Sequence, residues 1–161
     1  IPSRCKKFER LMQNVFVEQG VSADLALFQK ISTRTVDCKI SDLSSTIPLL
    51  RSVKSESEIE TIQEAVNMTA SGFANAMSFV QHGVNEFQVQ ATLEHGYAMA
   101  GGRGSAFPPI VGGGLNSTVL HYKENDQDLV DGDLVCIDSG AFFSGYGADI
   151  SRTIPVSGKF S

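Results

Sequence analysis

No run of apolar residues in this 161-residue sequence approaches the length of a membrane span, so a helical membrane protein is not expected. Behind the charged start Ile1-Pro2-Ser3-Arg4-Cys5-Lys6-Lys7 there is no apolar core of the kind a secretory signal carries. An initiator methionine is also missing, which reads as an internal start. Cysteine is scarce: Cys5, Cys38 and Cys136 are odd in number, unrelated in spacing and form no CxxC pair. That argues against a zinc cluster or a disulfide framework and leaves reduced thiols in a cytoplasmic protein as the expectation. Positive charge is in deficit, with 13 Lys and Arg against 18 Asp and Glu and a net charge of −5. Nonspecific nucleic-acid binding needs clustered positive charge and is not expected. Internal repeats and low-complexity tracts are lacking too. What remains, 42% hydrophobic and 19% charged residues, is the composition of an ordinary globular domain.

Residues 1–46 read as the C-terminal part of a preceding N-terminal α/β domain, since forty-odd residues make a poor core of their own. Phe8, Leu11, Met12, Val15 and Phe16 recur at helical spacing, with Gly20 as a stop. Thr33 to Ile40 alternates like a short strand. The polar, Pro-terminated segment 42–48 reads as a linker. From residue 47 onward the pattern is two helices and then a sheet. Ser55 and Glu58 have capping-box spacing at the start of a long helix, whose apolar stripe reads as Ile59, Ile62, Val66, Phe73, Met77 and Val80, with Gly83 as its stop. Asn85 and Gln88 mark a second helix that continues through Val89, Leu93 and Tyr97 to about Ala100, where Gly101 and Gly102 break it. Segments 107–111, 118–122, 134–143 and 150–156 are β-rich, and Asp131-Gly132-Asp133 reads as a tight turn into a buried strand. Helices followed by an antiparallel-looking sheet indicate an α+β fold. The glycines of 112–114 lack a following Gly-Lys-Ser/Thr and a helix, so they read as a sheet turn allowing close backbone approach rather than a phosphate loop. Asn116-Ser117-Thr118 matches a glycosylation pattern but has no secretory signal to support it.

The chemistry is concentrated in residues 135–153. Asp138 and Asp149 lie eleven residues apart, with Ser144 and Gly145 turn-prone between them. A hairpin closed by two residues, either Phe143-Ser144 or Ser144-Gly145, places both carboxylates on one face, because the side-chain period of a strand is two. They would then be directly opposite or diagonal, with Cβ atoms about 4.5–8 Å apart. A three-residue loop without a bulge would put them on opposite faces. Two carboxylates brought together repel, so something must compensate: a divalent cation, a shared proton, or neutralisation by Arg152. A solvated turn with a surface ion pair is the plainer alternative. His121, in Leu120-His121-Tyr122 on an expected strand, is by itself a structural histidine as readily as a functional one. His82 and His95 are placed on helices with no role.

These residues carry a resemblance. Segments 120–125, 131–141 and 145–161, the last ending Asp-Ile-Ser-Arg-Thr-Ile-Pro-Val-Ser-Gly-Lys-Phe-Ser, closely resemble the pita-bread metallopeptidases, and the ending is most similar to the Xaa-Pro aminopeptidase branch. Leu50 to Ile59 resembles that branch's domain-junction helix start. The resemblance covers about residue 47 to the end. It implies the first half of a pita-bread domain over 47–161 and hydrolysis of the residue preceding proline in a peptide with proline second. It also implies two divalent metals (manganese, or cobalt or zinc) that activate a water. Asp138 would bind one ion and Asp149 would bridge both, while His121 would face the substrate. The family's other three ligands, one His and two Glu, belong to a second half that the resemblance does not reach. The chain alone is therefore expected to be inactive, with little or no bound metal and with its exposed face covered by self-association or by a missing C-terminal half. The rival readings are a dipeptidase of the prolidase type and a non-catalytic peptide-binding pita-bread module, a role the same fold serves in a histone-chaperone subunit.

Overall fold

The structure, a computed structural model, describes residues 17–18, 21–35 and 43–160. The chain divides into two compact units, residues 1–52 and 53–161. In the first, β1 (Val17–Glu18) pairs antiparallel with β2 (Val21–Ser22). Helix α1 (Ala23–Ser32) follows directly, and α2 spans Thr46–Ser52. The expected helix around Phe8 to Phe16 and most of the expected strand at 33–40 lie outside the described residues; Thr33 and Arg34 form a turn that closes α1. The linker expected at 42–48 is corrected at its end. Thr46, Ile47 and Pro48 begin α2, where the first turn needs no donor from proline.

The second unit is built as expected, two helices and then an antiparallel sheet. Helix α3 spans Glu56–Phe79 and opens on a complete capping box: the Ser55 hydroxyl accepts from the Glu58 amide, and the Glu58 carboxylate accepts from the Ser55 amide at 2.7 Å. Two donors that the first helical turn would leave unpaired are thereby satisfied. Helix α4 (Glu86–Met99) opens on a second capping box, between Asn85 and Gln88. Its buried side carries Val89, Leu93 and Tyr97, all fully buried. Burial of side chains of this size stabilises the fold by about 1.5–3 kcal/mol each.

The buried side of α3 keeps Phe73 of the expected stripe, with Ile62, Val66 and Val80 half-buried, and departs from it at two positions. Ile59 and Met77 are exposed, and the residues facing inward are Ala65, Met68, Thr69, Gly72, Phe73 and Ala76. The cause is the close crossing of α3 and α4. A Cβ at Gly96 would lie 2.6 Å from the Gly72 Cα, so glycine is required where the two helices touch. Helix α3 also ends at Phe79, earlier than Gly83. Gly83, at φ 80°, instead lets the chain turn so that its amide reaches the Leu129 carbonyl.

Three strands form the main sheet in the order β3 (Ile110–Gly113), β4 (Leu134–Ser139), β7 (Ile150–Pro155), all antiparallel. Pro108 and Pro109 delay β3 relative to the expected start at 107, because they have no amide to give the ladder. The expected strand over 134–143 is divided. Gly140 interrupts it, and Phe142–Phe143 (β5) pairs with Tyr146–Gly147 (β6) as a short hairpin. A Cβ on Gly140 would stand 1.7 Å from the Ala148 carbonyl oxygen, so the chain can close there only without a side chain. Val135 and Ile137 of β4 pack with Val111, Leu93, Phe73 and Val156 in one core. Thr69, buried in α3, accepts from the Ala141 amide at 2.9 Å and ties the helix to this break. Among the described residues no helix is long and apolar enough to cross a membrane.

Candidate active site

Alternation along β4 sorts its side chains. Val135, Ile137 and Ser139 are buried on the core face, while Cys136 and Asp138 are half-buried on the other. The hairpin closes through Ser144 and Gly145, with Phe143 opposite Tyr146, and both turn residues are left-handed at φ 46° and 90°. That is the backbone of a two-residue turn whose twist matches the strands. The register beyond it places Asp138 opposite Ser151 and Ser139 opposite Ile150. Asp149, two residues before Ser151, is therefore the diagonal neighbour of Asp138 on the same face, as the Ser144-Gly145 register predicts.

The two carboxyl groups act on each other. Desolvation, the Asp138 charge and contact with the Asp138 side chain push the Asp149 carboxyl above its ordinary range. Ser151 donates to Asp138 Oδ1 at 2.7 Å and fixes that carboxylate's orientation. Arg152 does not neutralise the pair. It lies one residue out of phase with Asp149 and Ser151, and its guanidinium Nη1 donates to the Ser151 carbonyl at 2.7 Å. Of the three compensations open from the sequence, a cation and a shared proton remain. The pair fits a divalent cation by its chemistry, as hard oxygen donors gathered, among the described residues, without a counter-charge. Among the described residues no group of three or more His, Cys, Asp or Glu gathers as a metal site, so Asp138 and Asp149 stand as two donors and not a full set.

His121 comes to the same groove as Asp138. A groove of about 270 Å³ is lined by residues that include Ile110, Val119, Leu120, His121, Cys136, Asp138 and Ser151. The backbone there is not the strand expected from the sequence. Gly114, at φ 53°, opens a 3-10 helix over Gly114–Thr118, which also corrects the expectation that no helix follows the glycines. Close approach at Gly112 is as expected: a Cβ would lie 2.7 Å from the Asn116 carbonyl oxygen. His121 itself is exposed and left-handed at φ 56°. The apolar alternation of 118–122 reflects a buried Tyr122 beside a Leu120 that is 85% exposed, not a ladder. His82 is likewise corrected: it sits in the turn after α3, where its Nδ1 accepts from the Asp131 amide at 3.3 Å. His95 is on α4 as expected. Cys136 is a free thiol, whereas Cys5 and Cys38 lie outside the described residues.

Several residues that shape the site carried no obvious signal. Glu86 is fully buried and accepts four hydrogen bonds: from the Gly113 amide at 2.8 Å, Asn116 Nδ2 at 3.2 Å, the Tyr122 hydroxyl at 2.8 Å and the Gln127 amide at 3.1 Å. As the first residue of α4 it also sits at the positive end of the helix dipole. Burial, together with donation to Glu86, pushes the Tyr122 phenol up to about 12, so it remains a donor at neutral pH. Asn125, buried and left-handed, accepts from the Val111 amide and donates to the Pro109 carbonyl and Gln90. A signal for Glu86 was present: 86, 89, 93 and 97 share one helical face, so an acid stood on the apolar side of α4.

Residues 60–161 match the sequence profile of Metallopeptidase family M24. The Xaa-Pro aminopeptidase of Haemophilus influenzae is 40% identical over 123 residues, covering 76% of this chain and 29% of that protein. The Xaa-Pro aminopeptidase of Escherichia coli is 36% identical over 127 residues, covering 79% of this chain and 29% of that protein. The chain thus spans less than a third of the length of either relative. Among solved structures, a putative aminopeptidase P from Bacillus anthracis superposes with a TM-score of 0.82 at 33% identity, over 92% of this chain and 36% of that one. A zinc-substituted E. coli aminopeptidase P in complex with product gives 0.78 at 33% identity, over 91% and 36%. The helices and antiparallel sheet described above are part of that fold.

Proposed function

Because the chain belongs to metallopeptidase family M24, we propose that it forms part of a metal-dependent Xaa-Pro aminopeptidase, with Asp138 and Asp149 as metal-holding carboxylates and His121 as the residue that meets the peptide. The observation that carries the reading is the Asp138–Asp149 pair, gathered on one face by the β4–β7 register with, among the described residues, no cationic side chain between them. Oxygen donors favour a hard ion such as manganese over a site built on thiolate. A divalent ion there would supply Lewis acidity and lower the pKa of a water at neutral pH.

The chain's own residues have separate tasks. Asp138 is oriented by Ser151. Asp149 offers the second carboxylate of the pair from the diagonal position. His121, which lines the same groove as Asp138, would hydrogen-bond the peptide or the group developing charge as the bond to proline breaks. Two carboxylates leave an ion mostly hydrated, so the reading requires donors beyond those gathered among the described residues, and hydrolysis belongs to an assembly that supplies them. A peptide with proline second is the substrate named by the relatives. The free Cys136 thiol accords with a reducing, cytoplasmic setting.

Calorimetric titration with Mn²⁺, paired with elemental analysis, tests the reading on this chain and on Asp149→Ala. Weak binding by the parent that disappears in the variant is the expected result. Equal metal content in the two would refute the assignment.

A further inference from the structure

Leu115 to Gln127 cross the molecule without joining a strand, yet they hold His121 over the groove. His121 has the left-handed backbone that a residue with a Cβ keeps only when its surroundings impose it. Its neighbour Leu120 supplies no packing, being 85% exposed. Its other neighbour, Tyr122, is buried, and the phenol donates to Glu86 at 2.8 Å. Glu86 grips the same segment before it and after it, through Gly113 and Asn116 on one side and Gln127 on the other. Asn116 also donates to the Tyr122 oxygen at 3.0 Å, which closes a ring of buried bonds. Asn125 is a second, separate anchor three residues further on.

We infer that Glu86, which does not line the groove, is a positioning residue that sets His121 through Tyr122. The inference rests on the reading of His121 as the peptide-facing residue. A carboxylate side chain suits the post, because all four partners present donors to its two oxygens. A glutamine would turn an amide NH₂ toward two of them. The arrangement couples the start of α4 to the one groove histidine, so the packing of that helix decides where His121 stands.

Tyr122→Phe is the decisive variant, since it removes one hydroxyl and keeps the ring that fills the core. Two readouts need no catalysis: amide hydrogen exchange by segment, and the ring C–H resonances of the three histidines, with His121→Ala giving the assignment. The expected result is exchange faster by about ten-fold over 114–122, the effect of losing one hydrogen bond to a charged acceptor. Exchange over 134–139 should stay as in the parent, and the His121 resonance should shift while those of His82 and His95 stay in place. Unchanged exchange and resonance would overturn the inference. So would equal acceleration in both segments, which would make the hydroxyl a general stabiliser. In an assembly that hydrolyses Xaa-Pro peptides, the variant should lower kcat/KM at unchanged metal content. Absence of hydrolysis in an assembly carrying the parent chain would count against the proposed function alone, because the exchange and resonance results stand without it.

Discussion

Replacing Gly72 by Ala sets two opposing effects against each other at the crossing of α3 and α4. In an exposed helix interior the change stabilises by about 1 kcal/mol, because alanine loses less backbone freedom on folding. Here the new methyl would lie 2.4 Å from Tyr97 Cε1, 2.6 Å from Cδ1 and 2.9 Å from the Leu93 carbonyl oxygen. The ring cannot swing clear at no cost. Tyr97 is fully buried and its hydroxyl donates to Ser139 Oγ at 3.0 Å. The carbonyl cannot move at all unless the helix does. Overpacking of this kind costs about 1–3 kcal/mol, and loss of the buried tyrosine bond adds about 1 kcal/mol. The net expectation is destabilisation by roughly 1–3 kcal/mol, opposite in sign to helix propensity. Urea unfolding measures it as a lower midpoint at unchanged slope. A cycle with Tyr97→Leu tests the cause, since removing the clashing ring atoms should make the glycine change milder. A Gly72→Ala variant as stable as its parent, or more so, would refute the reasoning.

Asp149→Asn should stabilise the metal-free chain at neutral pH while abolishing Mn²⁺ binding. The Asp149 carboxyl is raised above its ordinary 3.8 by desolvation and by Asp138, so its ionisation burdens the folded state above its folded pKa and not below 3.8. The advantage in thermal melts should therefore shrink to nothing as pH falls below 3.8; a gap that persists there would contradict it. Glu58 has the opposite sign. Donation from Tyr146, then the bonds to the Ser55 amide and hydroxyl, lower its carboxyl to about 2. Its contribution is present above 4.5 and fades as pH falls toward 2. Glu58→Gln should thus melt earlier than the parent at pH 6 and alongside it near pH 2; coincident melts at pH 6 would dispose of the idea.

The features legible in the sequence were those whose signal is local. Both helix starts announced themselves, because Ser55 with Glu58 and Asn85 with Gln88 satisfy their own backbone within four residues. The shared face of Asp138 and Asp149 followed from strand parity and a short turn. What failed depended on partners distant in sequence. Thr118 to Tyr122 has strand composition, yet Tyr122 is claimed by Glu86, thirty-six residues earlier, and no ladder forms. The apolar residues of α3 are real, but the helix meets α4 at Gly72 and Gly96, and that crossing buries Phe73 while leaving Ile59 and Met77 exposed. Glu86 was missed because a carboxylate on an apolar helix face reads as surface until four donors are found around it.

The turn at Ser144 and Gly145 has a consequence for how this stretch of chain can vary. Surface loops ordinarily accept insertions at small cost, since closing a slightly longer loop is cheap. Here one added residue, unless a bulge absorbed it, would reverse the parity of everything between the turn and Asp149 and carry one carboxylate to the far side of the sheet. The composition of the turn is negotiable wherever a left-handed backbone is tolerated; the parity of its length is not. Heritable change in this hairpin is thus confined to substitution and to insertions that keep that parity, and the odd spacing in sequence between 138 and 149 is itself part of the site.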